Sequence, residues 1–122
     1  MNPMRVLIVD DMPHVRQDLR TLLPLAGNIE IAGEAANGHE AIEQAASLQP
    51  DVILMDLEMP IVDGLAATRS IKLRHPATRI IALTIHTDEA TRQKADRAGV
   101  DEFVEKGAPL ETLLRAIQER EE

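Results

Sequence analysis

The sequence predicts an α/β fold, a doubly wound, five-stranded parallel sheet with helices over both faces. Three observations carry this. Short apolar runs alternate with helix-period segments from one end of the chain to the other. Most of those runs are continuously apolar, as strands covered on both faces require. The chain has 122 residues, the size of one domain, and its 44% apolar and 28% charged residues are ordinary globular usage.

Arg5-Val6-Leu7-Ile8-Val9 reads as a buried strand that stops at Asp10-Asp11. Pro13 suits the first turn of a helix carrying Val15, Leu19, Leu22 and Leu23, and Pro24 and Gly27 are expected to close it. Ile29 to Ala35 alternates weakly and reads as a second strand. Asn37-Gly38 turns the chain into a small-residue helix with Ala41, Ile42, Ala45 and Ala46, closed by Pro50. Asp51 to Met55 is the third strand, ending at Asp56. A loop with Pro60 and Asp63-Gly64 leads to a helix from about Leu65 to Leu73, broken by His75-Pro76. Arg79 to Leu83 is the fourth strand, ending at Thr84. Thr87 or Asp88 can cap the next helix, which Gly99 terminates. Asp101 to Glu105 is a short fifth strand ending at Lys106. Pro109 opens the last helix, whose apolar face is Leu110, Leu113, Leu114 and Ile117, and Glu119 to Glu122 form a charged tail.

Composition narrows the function. Twenty-one acidic against thirteen basic residues give a formal charge of −8, which repels phosphate backbones and anionic lipid. Phe103 is the single aromatic residue beside no Tyr and no Trp, so nothing here stacks bases. Without cysteine there is no disulfide framework, thiolate metal site or thiol nucleophile. Apolar runs such as Val52–Met55 and Ile80–Leu83 are far too short to span a bilayer, and no signal-like segment opens the chain. A cytoplasmic protein is the expectation.

The chemistry is expected at the carboxyl ends of the strands, where open parallel sheets bind ligands. Strand one delivers Asp10 and Asp11, strand three Asp56, strand four Thr84 and strand five Lys106. Converging carboxylates repel, and a hard divalent cation relieves that repulsion; magnesium suits a site that must leave positions for water and phosphate. One carboxylate can then attack phosphorus and become an acyl phosphate, with Lys106 offsetting oxygen charge and Thr84 bonding a phosphoryl oxygen. Each residue alone has a plainer explanation. Aspartates after strands form turns and caps, a strand-end Thr is common, and a lone Lys is usually a solvated charge. The five together, each at the same end of a strand, are what point to a site.

Val6-Leu7-Ile8-Val9-Asp10-Asp11, Asp51 to Pro60 with Asp63-Gly64, Ala82-Leu83-Thr84 and Phe103-Val104-Glu105-Lys106 together resemble the response-regulator receiver domain of two-component systems. The match runs over essentially the whole chain in the family's order and spacing. Gly64-Leu65-Ala66-Ala67-Thr68-Arg69 is most similar to receivers of NarL/FixJ (LuxR-type) transcriptional regulators. The resemblance implies a CheY-like, flavodoxin-like (βα)5 fold of strand order 2-1-3-4-5. It implies phosphorylation of Asp56 by a sensor histidine kinase or a small acyl phosphate, followed by autodephosphorylation. Magnesium would be held by Asp11 and Asp56 directly, by Asp10 through water and by the backbone carbonyl of Glu58. Lys106 would contact the phosphoryl group. Thr84 and Phe103 would be a switch pair, the hydroxyl moving toward the phosphoryl group and the ring turning inward behind it. A plain core aromatic is the other reading of Phe103. A population shift would alter the face of the fourth helix, fifth strand and fifth helix. Phosphorylation-dependent homodimerisation is an expectation there, with Arg92, Lys94, Arg97, Asp101, Glu111 and Arg115 as charges on that face.

Departures from the family pattern matter. Phe103 replaces the frequent Tyr and removes its hydroxyl, and Gly107 replaces the proline that follows the lysine in many members. Glu58 and His86, each two places beyond a site residue, are expected to flank the path of the hydrolytic water and tune phosphoryl lifetime; exposed polar side chains are the plainer alternative. His14, His39 and His75 are isolated and read as surface or turn residues. The expected role is signalling rather than enzymatic, with residues 1–122 a receiver and a DNA-binding output domain outside this chain. DNA would be engaged only through that domain. A stand-alone receiver and a non-phosphorylated pseudo-receiver are the alternatives. A haloacid-dehalogenase-like phosphatase is disfavoured: Asp56-Leu57-Glu58 meets its motif only loosely, and the chain lacks a cap.

Overall fold

A computed structural model describes residues 2–59 and 62–119. Pro60 and the end of the charged tail lie outside the described residues. Five strands, β1 (Met4–Val9), β2 (Ile29–Ala35), β3 (Val52–Asp56), β4 (Arg79–Thr84) and β5 (Glu102–Glu105), alternate with five helices. These are α1 (Pro13–Ala26), α2 (Gly38–Leu48), α3 (Gly64–Arg74), α4 (Glu89–Ala98) and α5 (Leu110–Gln118). The sheet is parallel throughout, in the order β2-β1-β3-β4-β5.

Successive strand residues face opposite sides, and both sides are apolar. Leu7, Val9, Ile53, Met55, Ile80 and Ala82 meet Ala41 and Ala45 of α2, Ala67 and Ile71 of α3 and Ala95 of α4. Val6, Ile8, Val52, Leu54, Ile81 and Leu83 meet Leu23 of α1 and Leu113, Ala116 and Ile117 of α5. The core is aliphatic, as the composition requires, and alanines on α2, α3 and α4 let those helices lie close to the sheet.

Side chains fix the helix starts. Asn37 accepts from the Glu40 amide at 2.9 Å while Glu40 accepts from the Ala36 amide at 2.8 Å, a reciprocal cap on α2. Asp63 accepts from the Ala66 amide at 2.8 Å, and Asp88 rather than Thr87 caps α4 through the Thr91 amide at 3.1 Å. A hydrogen bond from the Thr91 hydroxyl holds the Asp88 carboxyl below its usual range.

Four readings need correction. Pro24 lies inside the last turn of α1 rather than closing it; the helix runs to Ala26, where the Gly27 amide bonds the Leu23 carbonyl. The hydrogen bond Pro24 cannot donate belongs to the exposed outer side of the helix, where water replaces it. Leu22 is 45% exposed, because Leu19 and Leu23 already occupy the core-facing stripe. Ala46 is also exposed. Asp101 is not a free charge on the switching face: it ion-pairs with Lys72 at 2.6 Å and accepts the Ile80 amide at 2.8 Å, at the sheet end remote from the site.

Gly64 positions the acidic rim. A Cβ there would press on the Asp56 carbonyl oxygen and lie 2.8 Å from the Leu57 Cα, both rigid backbone. Only glycine lets α3 start against the end of β3. Gly64→Ala is expected to cost about 2 kcal/mol or more, measured by urea unfolding followed by far-ultraviolet circular dichroism.

Candidate functional site

β1 and β3 are neighbours, yet the chain leaves β1 for β2 on one side and β3 for β4 on the other. The crevice at their carboxyl ends is the switch point of the sheet, and there the chain places Asp10, Asp11 and Asp56. Carboxylate oxygens of all three lie within 4.8 Å of one another, Asp10 and Asp56 buried and Asp11 toward solvent. Lys106 follows β5, and its amide is tied to the Thr84 carbonyl at 2.9 Å. Gly107, at φ +90°, turns the chain away in a left-handed conformation that glycine accommodates.

The Lys106 ammonium sits 3.2 Å from Asp56 Oδ1 and 3.3 Å from Asp10 Oδ2 and pairs with both carboxylates. Asp10 Oδ1 accepts the Met12 amide at 2.9 Å, and Asp56 Oδ1 accepts the Glu58 amide at 3.0 Å. Asp56 Oδ2 is buried with no partner, and the buried Asp10 Oδ2 has only the Lys106 ammonium. Burial pushes the Asp56 carboxyl up to about 6; the Asp10 charge adds to the rise, while the Glu58 amide and Lys106 oppose it. Burial lowers the affinity of Lys106 for its proton, but Asp56 and Asp10 more than offset this and its pKa lies above the ordinary lysine value.

One buried carboxylate oxygen with no partner, a second that has only the Lys106 ammonium, and a third carboxylate beside them are a donor set for a hard cation. One ammonium cannot neutralise three acids, and leaving buried acceptors unpaired is costly. The residues present therefore fit magnesium.

Thr84, at the end of β4, is fully buried, donates to Glu58 Oε2 at 2.8 Å and accepts the His86 amide at 3.0 Å. His86 thus touches the site through its backbone, and its side chain is exposed. Phe103 pairs with Ala82 in the sheet and is half-buried against the aliphatic core. The Arg92 guanidinium lies 4.6 Å from its ring centroid, so Arg92 covers the ring rather than simply solvating α4.

Two contacts escaped the sequence reading. Arg16 donates to the Asp10 carbonyl at 2.6 Å and is held by Glu34 at 3.3 Å, which clips the acidic loop to β2. A charged residue one turn before Leu19 and Leu23, within their stripe, was the available signal. The Glu58 carboxylate on Thr84 gave no signal at all.

The geometry defines a buried acidic site at the switch point of a doubly wound parallel sheet, and comparison with known proteins assigns the family. The family model described as the response regulator receiver domain matches residues 6–118, and the chain belongs to that family. It is 40% identical to a protein-glutamate methylesterase/protein-glutamine glutaminase of Alkalilimnicola ehrlichii, over 95% of this chain and 31% of that protein. It is 34% identical to the nitrate/nitrite response regulator protein NarL of Escherichia coli K12, over 96% of this chain and 54% of that protein. Among solved structures it resembles a LuxR-family two-component response regulator from Aurantimonas sp. SI85-9A1. That likeness has a TM-score of 0.89 and 34% identity, and covers 95% of this chain and 83% of that one. The chain spans between about a third and about half of the two curated relatives. Receiver-domain membership, the fold and the likeness to NarL and LuxR-family regulators are therefore as the sequence predicted. Among the described residues no helix is long and apolar enough to cross a membrane.

Proposed function

We propose that this receiver is a phosphoacceptor whose nucleophile is Asp56. The observation that carries this is the buried Asp56 carboxylate, one oxygen held by the Glu58 amide and Lys106 and the other unpartnered beside Asp10 and Asp11. With its pKa raised only to about 6, Asp56 is ionised at neutral pH and keeps more basicity than an ordinary aspartate. A carboxylate oxygen forms a bond to phosphorus as the bond from phosphorus to the leaving group breaks, a phosphohistidine nitrogen or the acetate of acetyl phosphate departing with its electron pair. Asp10, Asp11, Asp56 and the Glu58 carbonyl would hold magnesium, which supplies positive charge to the phosphoryl oxygens when bound. Lys106 holds the acceptor in place and neutralises charge on the transferring group. Thr84 and Phe103 convert the new charge into a shift of the α4–β5–α5 face.

The donor in this reading is a sensor histidine kinase in the cytoplasm, and the output lies in a domain outside this chain. Likeness to a DNA-binding response regulator of the LuxR family from Staphylococcus aureus favours a DNA-binding output, and phosphorylation-dependent dimerisation belongs to the same proposal. The 40% identity to a methylesterase favours a second reading in which the receiver governs an enzymatic domain. Intact mass after incubation with acetyl phosphate tests the phosphoacceptor itself. One phosphoryl group is expected on the wild type with magnesium, and none without magnesium or in Asp56→Asn. No adduct on the wild type from acetyl phosphate or from a histidine kinase would leave an interaction module with an inactive site.

A further inference from the structure

The Thr84 hydroxyl is buried but already engaged. It donates to Glu58 Oε2 at 2.8 Å, and the other Glu58 oxygen accepts the Ile85 amide at 3.4 Å. The His86 amide donates to the same hydroxyl at 3.0 Å. Glu58 stands on the loop after β3, and Thr84 to His86 lead into the loop after β4. One exposed carboxylate therefore clasps the second loop across the rim from the first.

A hydroxyl has a single proton to give, and an ionised carboxylate can only accept. While Glu58 holds that proton, Thr84 has none for a group on Asp56. We propose that Glu58 is a positioning residue that latches Thr84 in the unphosphorylated protein, and that phosphorylation of Asp56 opens the latch. The inference rests on the phosphoacceptor reading above.

The driving force is local. A phosphoryl group brings up to about two negative charges and three strong acceptor oxygens. Bonded to Asp56, it stands two residues from Glu58, repels that carboxylate and competes for the same proton. When Thr84 turns to the phosphoryl oxygens, the Glu58 and His86 contacts lose their shared partner. Ile85 lies between them, 64% exposed, so release of its amide and its neighbours' repositions an apolar side chain at the mouth of the site. Glu58 and His86, read from the sequence as separate flanks of a water path, are joined through one hydroxyl.

The test is a double-mutant cycle of Glu58→Ala and Thr84→Val, read by nuclear magnetic resonance titration with beryllium fluoride and magnesium. Thr84→Val keeps the buried shape and removes the proton. Glu58→Ala is expected to tighten fluoroberyllate binding by roughly three- to tenfold with Thr84 present, and by less than about twofold in the Thr84→Val background. Glu58→Gln, which keeps an acceptor without charge, should fall between wild type and Glu58→Ala. In the free protein, Glu58→Ala should shift the Ile85 and His86 amide resonances. An equal gain in both backgrounds would overturn the latch, because Glu58 would then act through its charge alone. Unmoved Ile85 and His86 amides would also overturn it. Failure of the wild type to bind fluoroberyllate would instead remove the phosphoacceptor reading on which the latch depends.

Discussion

Lys106→Ala is expected to slow phosphorylation by acetyl phosphate by about a hundredfold, the usual cost of removing one preorganised positive donor from a charge-developing site. Lys106 is the only cation within 4 Å of Asp10 and Asp56 among the described residues, at 3.3 and 3.2 Å. Its loss acts twice. The transferring group loses a neutralising charge, and two buried carboxylates face each other without compensation, so the Asp56 carboxyl should titrate higher still. Lys106→Arg should recover only part of the rate, because a planar guanidinium cannot occupy the place of a compact ammonium. Single-turnover rates at saturating magnesium, together with a carboxyl-carbon titration of Asp56, check both effects. A Lys106→Ala rate within about threefold of wild type would place the neutralising charge elsewhere.

Asp56→Asn is expected to make the metal-free protein more stable by about 2 kcal/mol at pH 7.5 and to change little at pH 4. The sign follows from the proton balance. Asp56 titrates near 3.8 when unfolded and near 6 when folded, so between those values the folded state binds more protons. Stability therefore falls as pH rises through that window, and the whole penalty, at most about 3 kcal/mol, is present above the folded value. Asparagine never ionises and avoids it, less whatever Lys106 loses when its partner charge disappears. Titrating groups away from Asp56, unlike its neighbours Asp10 and Lys106, are common to both proteins and cancel in the difference. Urea unfolding at pH 4, 6 and 7.5, followed by far-ultraviolet circular dichroism, checks it. A difference that does not vary with pH would show that Asp56 carries no ionisation cost. Magnesium should stabilise the wild type far more than Asp56→Asn, because a ligand that binds only the folded state adds stability in proportion to its occupancy.

An ionised Asp56 is buried at the expense of the fold, yet the rim to which it belongs was readable in one dimension. Strand ends are local features: an apolar run that stops at Asp10, Asp56, Thr84 or Lys106 announces its own boundary. Element order is local too, and alternation of strands with helices admits few topologies beyond a parallel sheet covered on both sides. Helix ends were harder. Pro24 lies within α1 because a proline in a last exposed turn sacrifices only a bond that water replaces. Asp88 displaced Thr87 as a cap because its backbone stands in the extended conformation immediately before the helix.

By itself, then, the sequence determined the fold class, the aliphatic character of the core on both sheet faces and the residue types delivered to one edge of the sheet, because periodicity and strand termination act over a few neighbouring residues. Only the tertiary structure decided what those residues do to one another. Glu58 reaches Thr84 across 26 positions of sequence, and Arg79, an ordinary strand residue in sequence, caps the carbonyls of Ala116 and Glu119 at the end of α5. The raised pKa of Asp56 belongs to the same level, since burial and the charges of Asp10 and Lys106 exist only once three strands are aligned. Such contacts depend on the relative placement of distant segments, which no local pattern encodes.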